Sequence, residues 1–194
     1  TFISLPGLTL SIEEDDYFEL VMKTAMKGYY EFMEGKPVTV HIAEIDQPDV
    51  PLWAVWALQQ YAKEKGKEAC LKKYGKFIKD VVMYVKCNHH PNLKLMPNGL
   101  LYTDGKDKAV TWMNSTANGH PVVPRTGYIV EFNALWYNAL CFCASLCELA
   151  GKEKDQQQFL EAAELAKQSF LDTFLNEYGY LYDYVDGKMI DWSV

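Results

Sequence analysis

Thr111–Leu140 reads TWMNSTANGHPVVPRTGYIVEFNALWYNAL, and the fold turns on how it is read. Its first part is a polar loop with an exposable aromatic, Trp112, at the head and a basic anchor, Arg125, at the foot. The loop runs directly into an apolar helix opened by Glu131 and Asn133. Polar and aromatic groups gathered at the mouth of a rigid helix suit a hydroxyl-rich ligand.

Outward from this stretch the pattern is helical. Downstream, Tyr128–Ala150 is stopped by Gly151, and a second helix covers Glu153–Asn176, with Phe159, Ala162, Ala163, Ala166, Phe170 and Phe174 on one side. Tyr178–Val185 then has strand character and ends in a turn. Upstream, a Pro-, Asn- and Gly-rich loop holds an extended piece at Gly99–Thr103. Before it, helices are expected over Glu68–Lys86 and from Pro51 to Gly66, with Pro51 suited to a first helical position. The first long helix is expected over Ile12–Glu34, with Ser11 as N-cap and Glu14 completing a capping box.

Several of these helices carry aromatics on more than one face, which implies burial on both sides and a layered helical toroid. No linker or change of composition divides residues 1–194, so one structural unit is expected. The ending at Trp192-Ser193-Val194 reads as mid-loop, and the chain as a fragment of a larger domain.

The composition is that of an ordinary globular protein, 49% hydrophobic and 23% charged. A formal charge of −7 with dispersed lysines argues against nucleic acid, whose phosphates require clustered Lys and Arg. No apolar run reaches the ~18 residues of a spanning helix, so no membrane partner is expected. Cys141, Cys143 and Cys147 share one apolar segment, but only the last two share a face and no CxxC occurs. Buried reduced thiols, no metal and a cytoplasmic setting follow. His89-His90 and His120 lack ligand spacing or a nucleophile partner.

TFISLPGLTLS at the start, DVPLWAVWALQQY at 49–61, NGLLYTDG at 98–105, TWMN and PRTGYIVEFNALWYNAL together resemble the C-terminal amylo-α-1,6-glucosidase domain of glycogen debranching enzymes. The resemblance covers the chain nearly end to end. It implies an all-α fold, part of an (α/α)6 toroid with short β-hairpin excursions in its loops, of which residues 1–194 are about the N-terminal half. Apolar faces of such a half are expected to be covered by the rest of the domain or by self-association. The implied function is inverting hydrolysis of α-1,6-linked glucose at branch stubs of glycogen or maltodextrin. No cofactor is implied.

That reaction needs a proton for the leaving oxygen and an activated water, from two carboxyl groups roughly 6.5–9.5 Å apart. By the resemblance, the general acid is the Asp of a TWMD motif and the general base a Glu beyond Val194. Here the acid's position is Asn114, and a carboxamide has no proton to donate near neutral pH. Three readings stand: a relative that binds without cleaving, an enzyme using another acid such as Asp104 or Asp107, or an introduced change. Trp112 either stacks on a glucose face or joins the core. Asp49 either accepts sugar hydroxyls or caps the helix ahead of Pro51. Arg125 binds substrate or pins the loop to a carboxylate such as Glu131. Glu131 and Asn133 line the site or begin the helix.

Overall fold

A computed structural model describes residues 2–40, 42 and 44–186. The Trp192-Ser193-Val194 ending singled out above lies outside the described residues. The chain forms α1 (Leu5–Leu8), a 3-10 turn at Leu10–Ile12, α2 (Asp15–Met33), α3 (Val50–Lys65), α4 (Lys67–Lys86), α5 (Val130–Leu149) and α6 (Glu153–Phe174). Short strands occupy the connections: β1 (Lys94–Leu95), β2 (Leu101–Thr103), β3 (Thr116–Ala117), β4 (His120–Pro121), β5 (Gly127–Ile129) and β6 (Tyr184–Val185). The fold is mostly helical, with short antiparallel pairings in the loops, as the sequence leads one to expect.

Helix α5 is the organising element. It packs on α3, α4 and α6, and buries Phe132, Leu135, Trp136, Leu140, Phe142 and Leu146 around most of its circumference. A helix apolar on all sides has to be enclosed. Helix α2 has a single stripe instead, burying Phe18, Met22, Ala25 and Tyr29 at spacings of three and four. Phe18 stacks on Tyr61 of α3 with ring centroids 5.3 Å apart, and Tyr29 meets Phe77 of α4 edge-on at 6.2 Å. Large apolar side chains remain exposed at Leu8, Ile12, Tyr17 and Leu20, and at Leu160 and Leu171. No helix among the described residues is long and apolar enough to cross a membrane.

Strands β1-β2-β5-β6 form one antiparallel sheet, and β3-β4 a separate hairpin. Asn118 and Gly119 connect β3 to β4 with φ of 53° and 82°. Two consecutive positive φ values are the geometry of a tight hairpin turn, for which Asn-Gly is the preferred pair. Gly127 in β5 has φ of 93°, and a Cβ there would stand 2.3 Å from the Val185 carbonyl oxygen, so β6 can lie this close only to a glycine.

Several boundaries differ from expectation, among them the end of α6 at Phe174 in place of Asn176. The first long helix begins at Asp15, not Ile12, because the chain first completes α1 and the 3-10 turn and reverses at Glu13 with φ of 61°. The Ser11–Glu14 capping box does not form: Ser11 Oγ donates to the Pro6 carbonyl at 3.5 Å, and the Glu14 N–H to the Thr9 carbonyl at 3.0 Å. The apolar helix starts at Val130, because Gly127–Ile129 is drawn into the sheet. Tyr178–Val185 is mostly a turn, with only Tyr184–Val185 paired to β5. Asn176 Oδ1 takes the N–H groups of Tyr178 and Tyr180, both at 3.0 Å, and so diverts donors a ladder would use.

The five cysteines are unpaired, but not all are buried as expected: Cys70, Cys143 and Cys147 are, whereas Cys141 on the flank of α5 is half-buried and Cys87, just past the end of α4, is exposed. Burial pushes the Cys143 thiol up to about 12, so it stays protonated across physiological pH.

Candidate functional site

The loop between β2 and β5 carries Trp112 and Asn114 over the start of α3. What holds it there is Asp49. Asp49 occupies the N-cap position of α3, yet its side chain makes no capping bond; Oδ2 accepts the Trp112 N–H at 3.1 Å. The carboxylate therefore fixes the loop by its backbone and leaves the Trp112 indole free. Trp112 is 57% exposed, so the core reading of this residue does not apply.

Asp49 is 3% exposed, and its Oδ1 has no hydrogen-bond partner among the described residues. Burial raises its pKa to about 6. The Trp112 N–H pulls the other way, and the nearby Glu131 charge adds to the rise. Because this value lies above the unfolded one, the protonated carboxyl contributes stability that is complete below about pH 4 and is lost as pH climbs through about 6. Ionisation at neutral pH costs about 3 kcal/mol on this reckoning. Asp49→Asn keeps an acceptor for Trp112 but cannot ionise. Its stability relative to wild type should therefore rise between pH 4 and 6 and level off above pH 7 in urea unfolding. A constant difference across that range would contradict the buried-carboxyl assignment.

Arg125 sits behind the loop with its side chain 2% exposed. It forks onto Glu131, Nη1 to Oε1 and Nη2 to Oε2 at 2.5 Å each, and Nη2 also donates to Asp183 Oδ1 at 2.7 Å. Nη1 reaches Thr111 Oγ1 at 3.5 Å, and that hydroxyl accepts the Met113 N–H at 3.1 Å. Burial by itself lowers the guanidinium pKa, but Glu131 and Asp183 outweigh it and hold it above its ordinary value. Of the two readings given for Arg125, this geometry is the loop pin. Glu131 is its partner at the first turn of α5.

Asn133 is fully buried, two residues further along the same helix. Its Oδ1 accepts the Leu101 N–H at 2.7 Å, and its Nδ2 donates to the carbonyls of Leu101 and Ile129 at 3.1 and 3.0 Å. The amide is thus committed to joining β2 to α5 and has no face toward a cavity. Asn133 moves from the ligand-facing set to the supporting one.

Trp112, Asn114 and Asp49 line one open cavity of about 720 Å3, with Trp53, Val21 and Phe2 among its apolar walls. The carboxamide of Asn114 is exposed and makes no hydrogen bond within the described residues. Arg125, Glu131 and Asn133 do not line this cavity. Asp104 and Asp107 lie in a neighbouring cavity of about 450 Å3, which Asn114 also borders. Asp104 Oδ1 there accepts from Thr126 Oγ1 at 3.5 Å and the Lys106 N–H at 3.3 Å. A third cavity, about 270 Å3 between α4, α5 and α6, mixes apolar walls at Ile78, Leu146, Cys143 and Cys147 with the charged Lys79 and Asp80, and shares no lining residue with the other two. No group of three or more His, Cys, Asp or Glu is placed to hold a metal among the described residues.

Sequence reasoning missed Glu44, Gln47 and Thr24 as cavity residues. Nothing in their local spacing marks them, because the fold brings them from 67 to 90 residues upstream of Asn114. Trp53 carried a usable signal, being the aromatic one helical turn past Asp49, but it was absorbed into the stripe of α3.

The sequence model of the family described as amylo-alpha-1,6-glucosidase matches residues 1–193. No curated protein and no solved structure matches the chain.

Proposed function

The chain belongs to the amylo-alpha-1,6-glucosidase family, and from that premise we propose that its cavity takes an α-1,6-linked glucose stub on glycogen or a branched maltodextrin. The observation that carries the proposal is the convergence of Asp49, Trp112 and Asn114, up to 65 positions apart in sequence, on one 720 Å3 cavity. In this reading the Trp112 indole lies against a sugar face. Its apolar surface covers the ring C–H groups while hydroxyls point to polar walls. Asp49 holds the loop in place through the Trp112 N–H that it accepts, and Asn114 reaches the glycosidic oxygen. Arg125, Glu131 and Asn133 act from behind, by holding the loop and the start of α5. Three of the five thiols are buried, which suits a reducing, cytoplasmic setting for this glucan.

Hydrolysis breaks the bond between the anomeric carbon and the leaving oxygen. The oxygen gains a proton, and water adds to the carbon as a base takes one of its protons. Asn114 occupies the acid's position and can hydrogen-bond the leaving oxygen, but it has no proton to transfer. Turnover with Asn114 in place is therefore slow. That same residue favours a second reading, an α-glucan binder that does not cleave.

Both readings require binding. Trp112→Ala should weaken binding of a maltotetraose carrying one α-1,6-linked glucosyl branch by about three- to tenfold, with melting temperature and circular dichroism unchanged. Undiminished affinity would remove Trp112, and with it this cavity, as the glucan site.

A further inference from the structure

The 720 Å3 cavity and the neighbouring 450 Å3 cavity share three lining residues, Glu44, Gln47 and Asn114. They are the two halves of one cleft, and Asn114 stands on the rim between them. Their walls differ in kind. The first is faced mainly by apolar side chains, among them Phe2, Val21, Trp53 and Trp112. The second is faced mainly by polar and charged side chains, among them Asp46, Asp104, Asp107, Lys108, Asn92 and Thr116. Each has a volume typical of a small-molecule site, roughly 300–1,000 Å3.

A glycosidic bond has a sugar on either side, so a residue addressing the bond must have room for both. Resting on the proposed function of Asn114 and Trp112, we propose that the second cavity binds the chain on the leaving side of the bond. The branch glucose then sits in the first cavity and the bond crosses the rim at Asn114.

The chemistry of the second cavity selects its occupant. Carboxylates accept hydrogen bonds and do not donate them, and sugar hydroxyls donate. Among the described residues, the Asp107 and Glu44 carboxylates have no hydrogen-bond or ion-pair partner, so their oxygens are available. Four carboxylates, Glu44, Asp46, Asp104 and Asp107, outnumber the single Lys108 around this cavity and disfavour a phosphorylated or otherwise anionic ligand. They are not grouped closely enough to hold a metal among the described residues. A neutral polyhydroxylated chain is the class that fits. Glu44 is held at the rim with φ of 55°, an uncommon backbone state for a non-glycine residue.

Titration calorimetry with two probes tests this: glucose, which fills one cavity, and the glucosyl-branched maltotetraose, which spans the rim. The wild type should bind the branched probe at least tenfold more tightly than glucose. Asp107→Asn removes the charge of an unpartnered acceptor. Thr116→Tyr, at an exposed strand position of β3, fills the cavity sterically. Either change should cost the branched probe about tenfold, the worth of a hydrogen bond to a charged group, and leave glucose affinity unchanged. The inference is overturned if the branched probe binds no more tightly than glucose, or if both variants leave it untouched. Equal weakening of both probes overturns it as well. Failure of either sugar to bind the wild type is a different result, which overturns the proposed function and the inference with it.

Discussion

Arg125→Ala is expected to lower the unfolding free energy by about 3 kcal/mol, a loss large beside the roughly 5–15 kcal/mol of a typical domain. The guanidinium is buried and holds three groups from separate parts of the chain: Glu131 in α5, Asp183 before β6 and Thr111 in the loop. Removing it leaves Glu131 beside the buried Asp49 carboxyl without a counter-charge, and breaking a buried pair on one side costs about 3–5 kcal/mol. The lower figure applies because the Glu131 side chain is 22% exposed and that of Asp183 is 54% exposed, so water compensates part of the loss. Arg125→Lys keeps the charge but cannot make the forked contact, and should fall between wild type and alanine. Urea unfolding at pH 7 measures both. A loss under about 1 kcal/mol for alanine would mean that the loop is held by other contacts. Because Thr111 and Met113 depend on the same residue, glucan affinity should fall with stability in this variant.

This bracing was half visible in the sequence. Arg125 and Glu131 lie six residues apart across a strand-to-helix junction, and pairing them needs only local geometry. Asp183 lies 58 residues beyond Arg125, and nothing in TGYIVEFN announces it. Asn133 shows the opposite difficulty. A polar residue one turn inside an apolar helix reads equally as a ligand contact or a structural bracket. Only the position of Leu101 in β2, 32 residues earlier, decides for the bracket. The helices were legible because apolar periodicity is a local property; their ends were less so. At Ser11 and Asn176, side chains found other partners than the regular pattern assigns them, and boundaries moved by a few residues. The Asn118-Gly119 turn was legible in principle, but its flanks lack the alternating apolar residues that make such a pair conspicuous. The cleft itself was not legible, since Glu44, Asp49 and Asn114 meet only through tertiary packing.

The second large expectation concerns Asn114. The fold around it is intact: Asp49 holds the backbone two residues before it, Thr111 holds the residue between, and its side chain is exposed and unpaired. Asn114→Asp therefore alters chemistry with little change in shape. A positioned general acid contributes about 10²–10⁴ in rate, and that is the range of gain expected from supplying one where the carboxamide stands. Binding of the branched probe should stay within about threefold, because aspartic acid and asparagine occupy nearly the same volume.

The most direct measurement is glucose release from a glucosyl-α-1,6-branched maltodextrin by the protein expressed from its whole reading frame, with Asn114→Asp assayed beside it. Release by the variant at least a hundredfold faster than by the wild type, at similar affinity, is the predicted result. It identifies Asn114 as the general-acid position of an α-glucan site. Release by the wild type at a rate similar to the variant's would contradict it and place the proton donor elsewhere in the cleft.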